Sequence, residues 1–356
     1  MTYTLLQIKL IIALLGLSVI LVGGQVQQSF ALGYQTGDVF VSVGAAKVEQ
    51  WRDTGVMTLI QTIDCSSVFP SNSFTTGSTF DTNDHFYITM FDSDGVCHVD
   101  NNGVALGTFG SYGNDSPESI LFDQSGNAYV GTVDGGTEDL YKKNSVGGAL
   151  TQYDTQTSAR GTDWIDLTAG QNIMYHTSEG REIFRHDVQN DLTLSDFASL
   201  PGFGHAFALR ILSNGNVLVA DNVNIKLLDG SGSVIGTYDK SFVDGWFALN
   251  ISPDGVTFWS ASFDNSNVCQ FDIITGQGTD NELQCFTPSI TGNVFGLSVF
   301  GEQTVGGPQN VIGGEILPIN SVALMLAGIQ MSAIWIVPVL AGAAGTAAFY
   351  LKIRKN

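Results

Sequence analysis

Five polar residues, Glu118, Asp163, His205, Asp244 and Asn293, are the first candidates for chemistry. They lie near the positions where successive inner strands of a repeating fold would begin, with Thr75 or Thr76 as a further candidate. Hard oxygen donors converging from separate repeats could hold Ca²⁺ or Mg²⁺ at the mouth of a central channel, and such a metal could serve a hydrolase or lyase. Alignment on Gly126, Gly215 and Gly255 gives a second register. It sets Phe207 and Phe247, rather than His205 and Asp244, level with Glu118. An aromatic-lined mouth would suit an apolar or carbohydrate ligand instead. The plainest alternative is that these polar groups cap strands or face channel water. Softer donors are scattered: Met174, His176, His186 and Cys97-His98 show none of the close spacing of zinc or copper ligands. There is no Gly-x-Ser-x-Gly elbow, phosphate loop or His-Glu-x-x-His motif.

The elements that would position these residues form a repeat. An aromatic-rich strand recurs as VFVSV from Val39, FYIT from Phe86, AYVGT from Ala128, IMYHT from Ile173, VLVAD from Val217 and TFWSA from Thr257. With Phe40, Tyr87, Tyr129, Met174, Leu218 and Phe258 as equivalents, the intervals are 47, 42, 45, 44 and 40 residues. That period, with about four short strands per unit, belongs to propeller blades. Asp94-Gly95, Asn102-Gly103, Asn214-Gly215, Asp229-Gly230 and Asp254-Gly255 supply hairpin turns between them. Asp92-Ser93-Asp94-Gly95 starts like a calcium loop but lacks its later ligands and closing Glu. Five full units run over about 74–113, 116–155, 161–202, 204–241 and 244–287. The first unit has only three strands, and one strand, Val294–Val299, is left over at the end. The expectation is all-β: a six-bladed β-propeller closed by its C-terminal strand, which leaves no unpaired edge. Seven blades is the competing count.

Residues 80–113 and 212–239 resemble NHL repeats, most closely in Leu218-Val219-Ala220-Asp221 with Asn222 and Asn224. The third unit matches more weakly, with Gly131-Thr132 where Asp is expected, and the first, fourth and sixth match in hydrophobic spacing alone. The resemblance implies a propeller scaffold whose relatives include protein- and RNA-binding modules and a few metal-dependent lyases and lactonase-like hydrolases, so fold leaves function open.

The two ends read as targeting segments. Lys9 precedes the apolar run Leu10–Val22, and Ser29-Phe30-Ala31 fits a small-x-small cleavage site, so 1–31 is expected to be a secretory signal peptide. The propeller should occupy 32–303 and a linker 304–320. The apolar stretch 321–351 should be a single-pass membrane anchor. Its basic flank Lys352, Arg354 and Lys355 places the tail 352–356 in the cytoplasm and the propeller outside. The segment from Gly313 into the span is similar to C-terminal anchors of archaeal cell-surface proteins.

An even count of cysteines in an exported domain favours disulfides. Cys269 and Cys285 fall opposite each other on the third and fourth strands of the last blade. Cys65 and Cys97 would join the first two blades. Four buried thiols are the alternative. Asn114-Asp115-Ser116 and Asn250-Ile251-Ser252 match the glycosylation sequon, each followed by Pro, with Asn250 expected on an inner strand.

Charge narrows the function classes. The chain has 34 acidic and 14 basic residues. Four of the basic ones lie in the two end segments, so the body is more acidic still. Such a surface repels phosphate backbones, which excludes nucleic acid as a partner. The preferred expectation is a membrane-anchored binding, interaction or structural module of the cell envelope. Its partner would be another envelope or extracellular protein, a polymer or a small ligand. The alternative is an extracytoplasmic metal-dependent hydrolase or lyase of the lactonase-like type.

Overall fold

Strands buried on both faces must be apolar at successive positions, because neither side meets water. Phe86–Met90 shows how this is used. Phe86, Ile88 and Met90 pack with Phe40, Val48 and Ile63 of the preceding repeat. Tyr87, pointing the other way, packs with Phe109 at the end of its own repeat and with Ile120, Phe122 and Val130 of the following one. The same division recurs at the next junction. Leu121, Tyr129 and Tyr153 face Ile165, Leu167 and Met174, while Ile120 and Phe122 face backwards. The core is therefore a series of layers between neighbouring sheets.

A computed structural model of the chain describes residues 33–134, 139–202, 204–290, 293–302 and 304–307. Blade 2 runs Thr75–Phe80, Phe86–Met90, Gly95–Val99 and Ala105–Thr108. Blade 3 runs Pro117–Phe122, Ala128–Thr132, Leu140–Lys143 and Ala149–Tyr153. Blade 4 is Ile165–Leu167, Ile173–His176, Glu182–Asp187 and Leu192–Thr193, with Ala198–Ser199 also paired to its third strand. Blade 5 is Ala206–Ile211, Val217–Asp221, Ile225–Leu228 and Val234–Asp239, extended by the parallel pair Gly278–Thr279. Blade 6 is Trp246–Ile251, Thr257–Ser262, Val268–Asp272 and Gln284–Phe286. Blade 1 takes Val39–Ser42, Lys47–Asp53 and Met57–Asp64 from the start of the described chain and Gly296–Val299 from its end.

Closure therefore occurs as the repeat predicts. Val39 to Ser42 lie opposite Val299 to Gly296 in an antiparallel ladder, which removes the open edge of the ring. The inner strands approach so closely that Gly296 has no room for a side chain: a Cβ there would lie 1.7 Å from the Thr76 carbonyl oxygen of the next blade.

Both expected disulfides are formed, Cys65–Cys97 between blades 1 and 2 and Cys269–Cys285 within blade 6. Asn250 is fully buried on its inner strand and its amide bonds the backbone of Leu297 and Val299. A glycan there would require unfolding the channel wall, so the second sequon is silent. The Asp92–Gly95 segment is a turn. Asp92 accepts from the Phe74 N–H and Asp94, in the left-handed region, accepts from the Ser116 N–H. The expected leader 1–31, the anchor 321–351 and the basic residues Lys352, Arg354 and Lys355 lie outside the described residues. Among the described residues no helix is long and apolar enough to cross a membrane.

Candidate functional site

An inner strand directs alternate side chains into the layers on either side, so a residue reaches the channel only where the ladder is interrupted. In four blades the ladder between first and second strands shifts register directly after its first residue pair. The shifts fall at Thr75/Ser78, Pro117/Ser119, Ala206/Leu209 and Trp246/Ala248. Such irregularities re-aim side chains. The second residues of these strands are Thr76, Glu118, Phe207 and Phe247, each nearly buried. This is the register obtained by aligning the turn glycines. His205 and Asp244 fall outside it: both are exposed, as is Asn293.

A cavity of about 210 Å³ opens at this end of the ring, lined by Phe74, Thr76, Phe91, Glu118, Arg160, Glu179, Phe247 and Phe295. Three of its four phenyl rings adjoin one another, and Phe207 and Trp164 back them. Phe247 lies 4.7 Å from Phe207, 5.6 Å from Phe295 and 5.9 Å from Trp164 between ring centroids, and Phe74 meets Phe295 at 5.7 Å. Several of these contacts are edge-to-face, the favoured geometry of aromatic pairs.

The polar side of the cavity is a compact charge cluster. Glu118 and Asp163 are 3% and 0% exposed. Burial, then the charge of Asp163, pushes the Glu118 carboxyl well above its ordinary range, against the opposing pull of Arg160. Asp163 is raised by burial and by Glu179, again opposed by Arg160. Both Asp163 carboxylate oxygens are without a hydrogen-bond partner among the described residues. Arg160 binds Glu179 at 3.0 Å, reaches Asp134 at 3.5 Å and lies over the Phe91 ring at 5.2 Å. His205 joins through its ring Nδ1 and the Glu179 carbonyl, 2.6 Å apart, and stacks near Phe207.

The residues present do not fit the divalent-metal ring expected from Glu118, Asp163, His205, Asp244 and Asn293. The structure brings Glu118 and Asp163 together, but their companion is the Arg160 cation. The other three expected ligands are exposed and do not line the cavity. Among the described residues no three His, Cys, Asp or Glu side chains are grouped to hold a metal ion.

The opposite end of the channel is closed. Arg210 binds Glu302 at 3.0 Å, and Glu302 also accepts from the Ile251 N–H at 2.7 Å. Asp166 accepts from the Ile211 and Leu167 N–H groups. Burial pushes its carboxyl up to about 7, with Arg210 opposing. Only about 40 Å³ remains open among these residues. The two mouths are thus unlike: one sealed by paired charges, the other open and aromatic.

Arg160, Glu179, Phe74, Phe91 and Phe295 were not among the sequence candidates. Phe91 and Glu179 lie in turns between the second and third strands of their blades. In an antiparallel blade those turns share an end with the start of the first strand, so the repeat itself held the signal. Phe74 and Phe295 each stand one residue before an inner strand.

No protein-family model matches the chain. No curated protein matches it. Solved structures do. A chain of a nidogen/laminin complex superposes with a TM-score of 0.61 at 14% identity, covering 75% of this chain and 99% of that one. A protein of unknown function from Bacteroides caccae gives 0.58 at 13% identity, covering 74% and 98%. At these identities the likeness is one of fold, and it supports the β-propeller architecture.

Proposed function

We propose that the chain is an envelope binding module: an exported six-bladed propeller, tethered through 321–351, that holds its ligand at the aromatic mouth. The observation that carries this reading is the asymmetry of the channel. A structural scaffold gains stability by filling both ends, as Arg210 and Glu302 do at one. At the other end a cavity of about 210 Å³ is left with four phenylalanines and a buried carboxylate facing it, an arrangement suited to receiving a ligand. The NHL-like repeats in blades 2 and 5 and the nidogen/laminin neighbour agree with recognition as the role. The hydrolase alternative rested on a metal ring that the residues do not fit.

Export and tethering are tested by digesting intact cells with an added protease. The linker 304–320 should be cut and a disulfide-bonded propeller fragment released. Full-length chain that survives on intact cells but is cut after lysis contradicts the placement.

A further inference from the structure

We propose that the aromatic mouth is a cage for an alkylated ammonium group, with Phe74, Phe91, Phe247 and Phe295 as its walls and Glu118 as its counter-charge. This rests on the reading of the mouth as a ligand site and names the ligand class.

Charge comes first. Glu118, Asp163, Glu179 and Asp134 surround one cation, Arg160, which is already engaged by Glu179 and Asp134. Glu118 faces the cavity and Asp163 lies behind it with both oxygens unpartnered. Burial shifts Glu118 and Asp163 toward their protonated forms. A cation entering beside Glu118 favours release of its proton and so gains its counter-charge, whereas an anion would face Glu179 and Asp134 and be repelled.

The walls then select the kind of cation. The four phenyl rings give no oxygen, and the Thr76 hydroxyl and Glu179 are engaged by Thr89 and Arg160. Glu118 alone is too few donors to replace the water shell of a metal ion or a bare ammonium, which is costly to strip. A quaternary ammonium carries its charge beneath methyl groups and is held by ring faces. The cavity already makes one such contact, Arg160 over Phe91.

Neutral sugars suit the lining less well. The Thr76 hydroxyl is taken up by Thr89 at 2.7 Å and the Pro117 carbonyl at 3.3 Å, and Arg160 by its carboxylates. Few hydrogen-bonding groups are left for hydroxyls. The volume equals about seven waters of liquid at ~30 Å³ each, enough for a trimethylammonium head and the start of its chain.

The test is calorimetric titration of the full-length chain in detergent with choline. The comparison ligand is its carbon isostere, in which a tert-butyl group replaces trimethylammonium. The proposal expects choline to bind at least about tenfold more tightly than the isostere. Glu118→Gln should abolish that preference. Phe295→Leu, which keeps apolar volume but loses the ring face, should weaken choline severalfold while leaving the isostere nearly unchanged. Equal binding of choline and isostere to the parent chain, or no binding of choline, overturns the ammonium assignment. If a neutral saccharide or a protein instead binds in a Phe247- and Phe295-dependent way, the assignment fails and the binding-module reading stands. If no ligand of any class depends on these rings, both fall.

Discussion

Replacing Phe247 by Ala separates an open ligand cavity from a sealed aromatic core. Phe247 packs on Phe207, Phe263, Phe295 and Trp164, so loss of the ring removes four aromatic contacts. Truncating a fully enclosed Phe costs about 3–5 kcal/mol, part of it from the void left behind. One side of Phe247 already borders the open cavity. Water can enter the space it vacates, and the void component is largely absent. The expected loss is about 2–3 kcal/mol. Phe258 is the control: it is fully buried in the same region, 4.9 Å from Tyr238 and 5.4 Å from Phe271. Phe258→Ala should cost about 4–5 kcal/mol, the upper part of the range. Urea unfolding of the two variants beside the parent, followed by tryptophan fluorescence, gives both values. Equal losses would refute the reasoning, because they would mean that the mouth is closed core.

The sealed end makes its own prediction. Glu302→Ala takes from buried Arg210 its hydrogen-bonded partner and leaves it only the charge of Asp166, which should cost about 3 kcal/mol by urea unfolding; a loss below about 1 kcal/mol would show that the plug does not hold the ring. His176 is fully buried, donates to the Gln156 carbonyl, and is held by burial at about 4. Its unfolded value is about 6.5, so between those pH values the unfolded state takes up the proton first and stability falls on acidification. The loss is about 3 kcal/mol, seen as a falling urea midpoint from pH 7 to 4 that His176→Asn should flatten; parallel pH profiles for the two proteins would exclude this origin. Glu118 has the opposite sign. Its carboxyl is raised in the fold, so the unfolded chain releases its proton first and stability falls as pH rises through the raised folded value. Glu118→Gln should therefore melt above the parent at pH 8 and converge with it near pH 4, and a Gln variant that melts below the parent at pH 8 contradicts a protonated, strained carboxyl. Intact mass after alkylation without reductant should be unchanged, since all four cysteines are bonded; a mass increase would reveal free thiols.

Much of the fold was legible because its signal repeats. Strands buried on both faces read as apolar runs, and the Asp-Gly and Asn-Gly turns punctuate them. The orphan strand before Phe300 fixed the closure, since an unpaired edge in a ring has one place to go. The cysteine pairing followed from strand position. The site was harder. Glu118 and Asp163 stood out as carboxylates near the starts of inner strands, and the structure brings them together. His205 and Asp244 did not take places beside them, because both precede their inner strands, which begin at Ala206 and Trp246, and are exposed; His205 touches the cluster only through the Glu179 carbonyl. The glycine alignment carried the correct register, and with it Phe207 and Phe247. Arg160 comes from the connection between blades 3 and 4 and Glu179 from a blade-4 turn, where nothing in local composition separates a mouth residue from an ordinary loop residue. Only the geometry of the ring does.

The central claim, that the aromatic mouth is where this protein meets its ligand, is tested most directly by photo-crosslinking from position 295 in intact cells. A benzophenone side chain placed there should form a discrete adduct, identified by mass spectrometry. The same group at Val146, which is 83% exposed in a blade-3 hairpin remote from the inner strands, should form none. Adducts of equal yield from both positions, or none from position 295, would contradict the account.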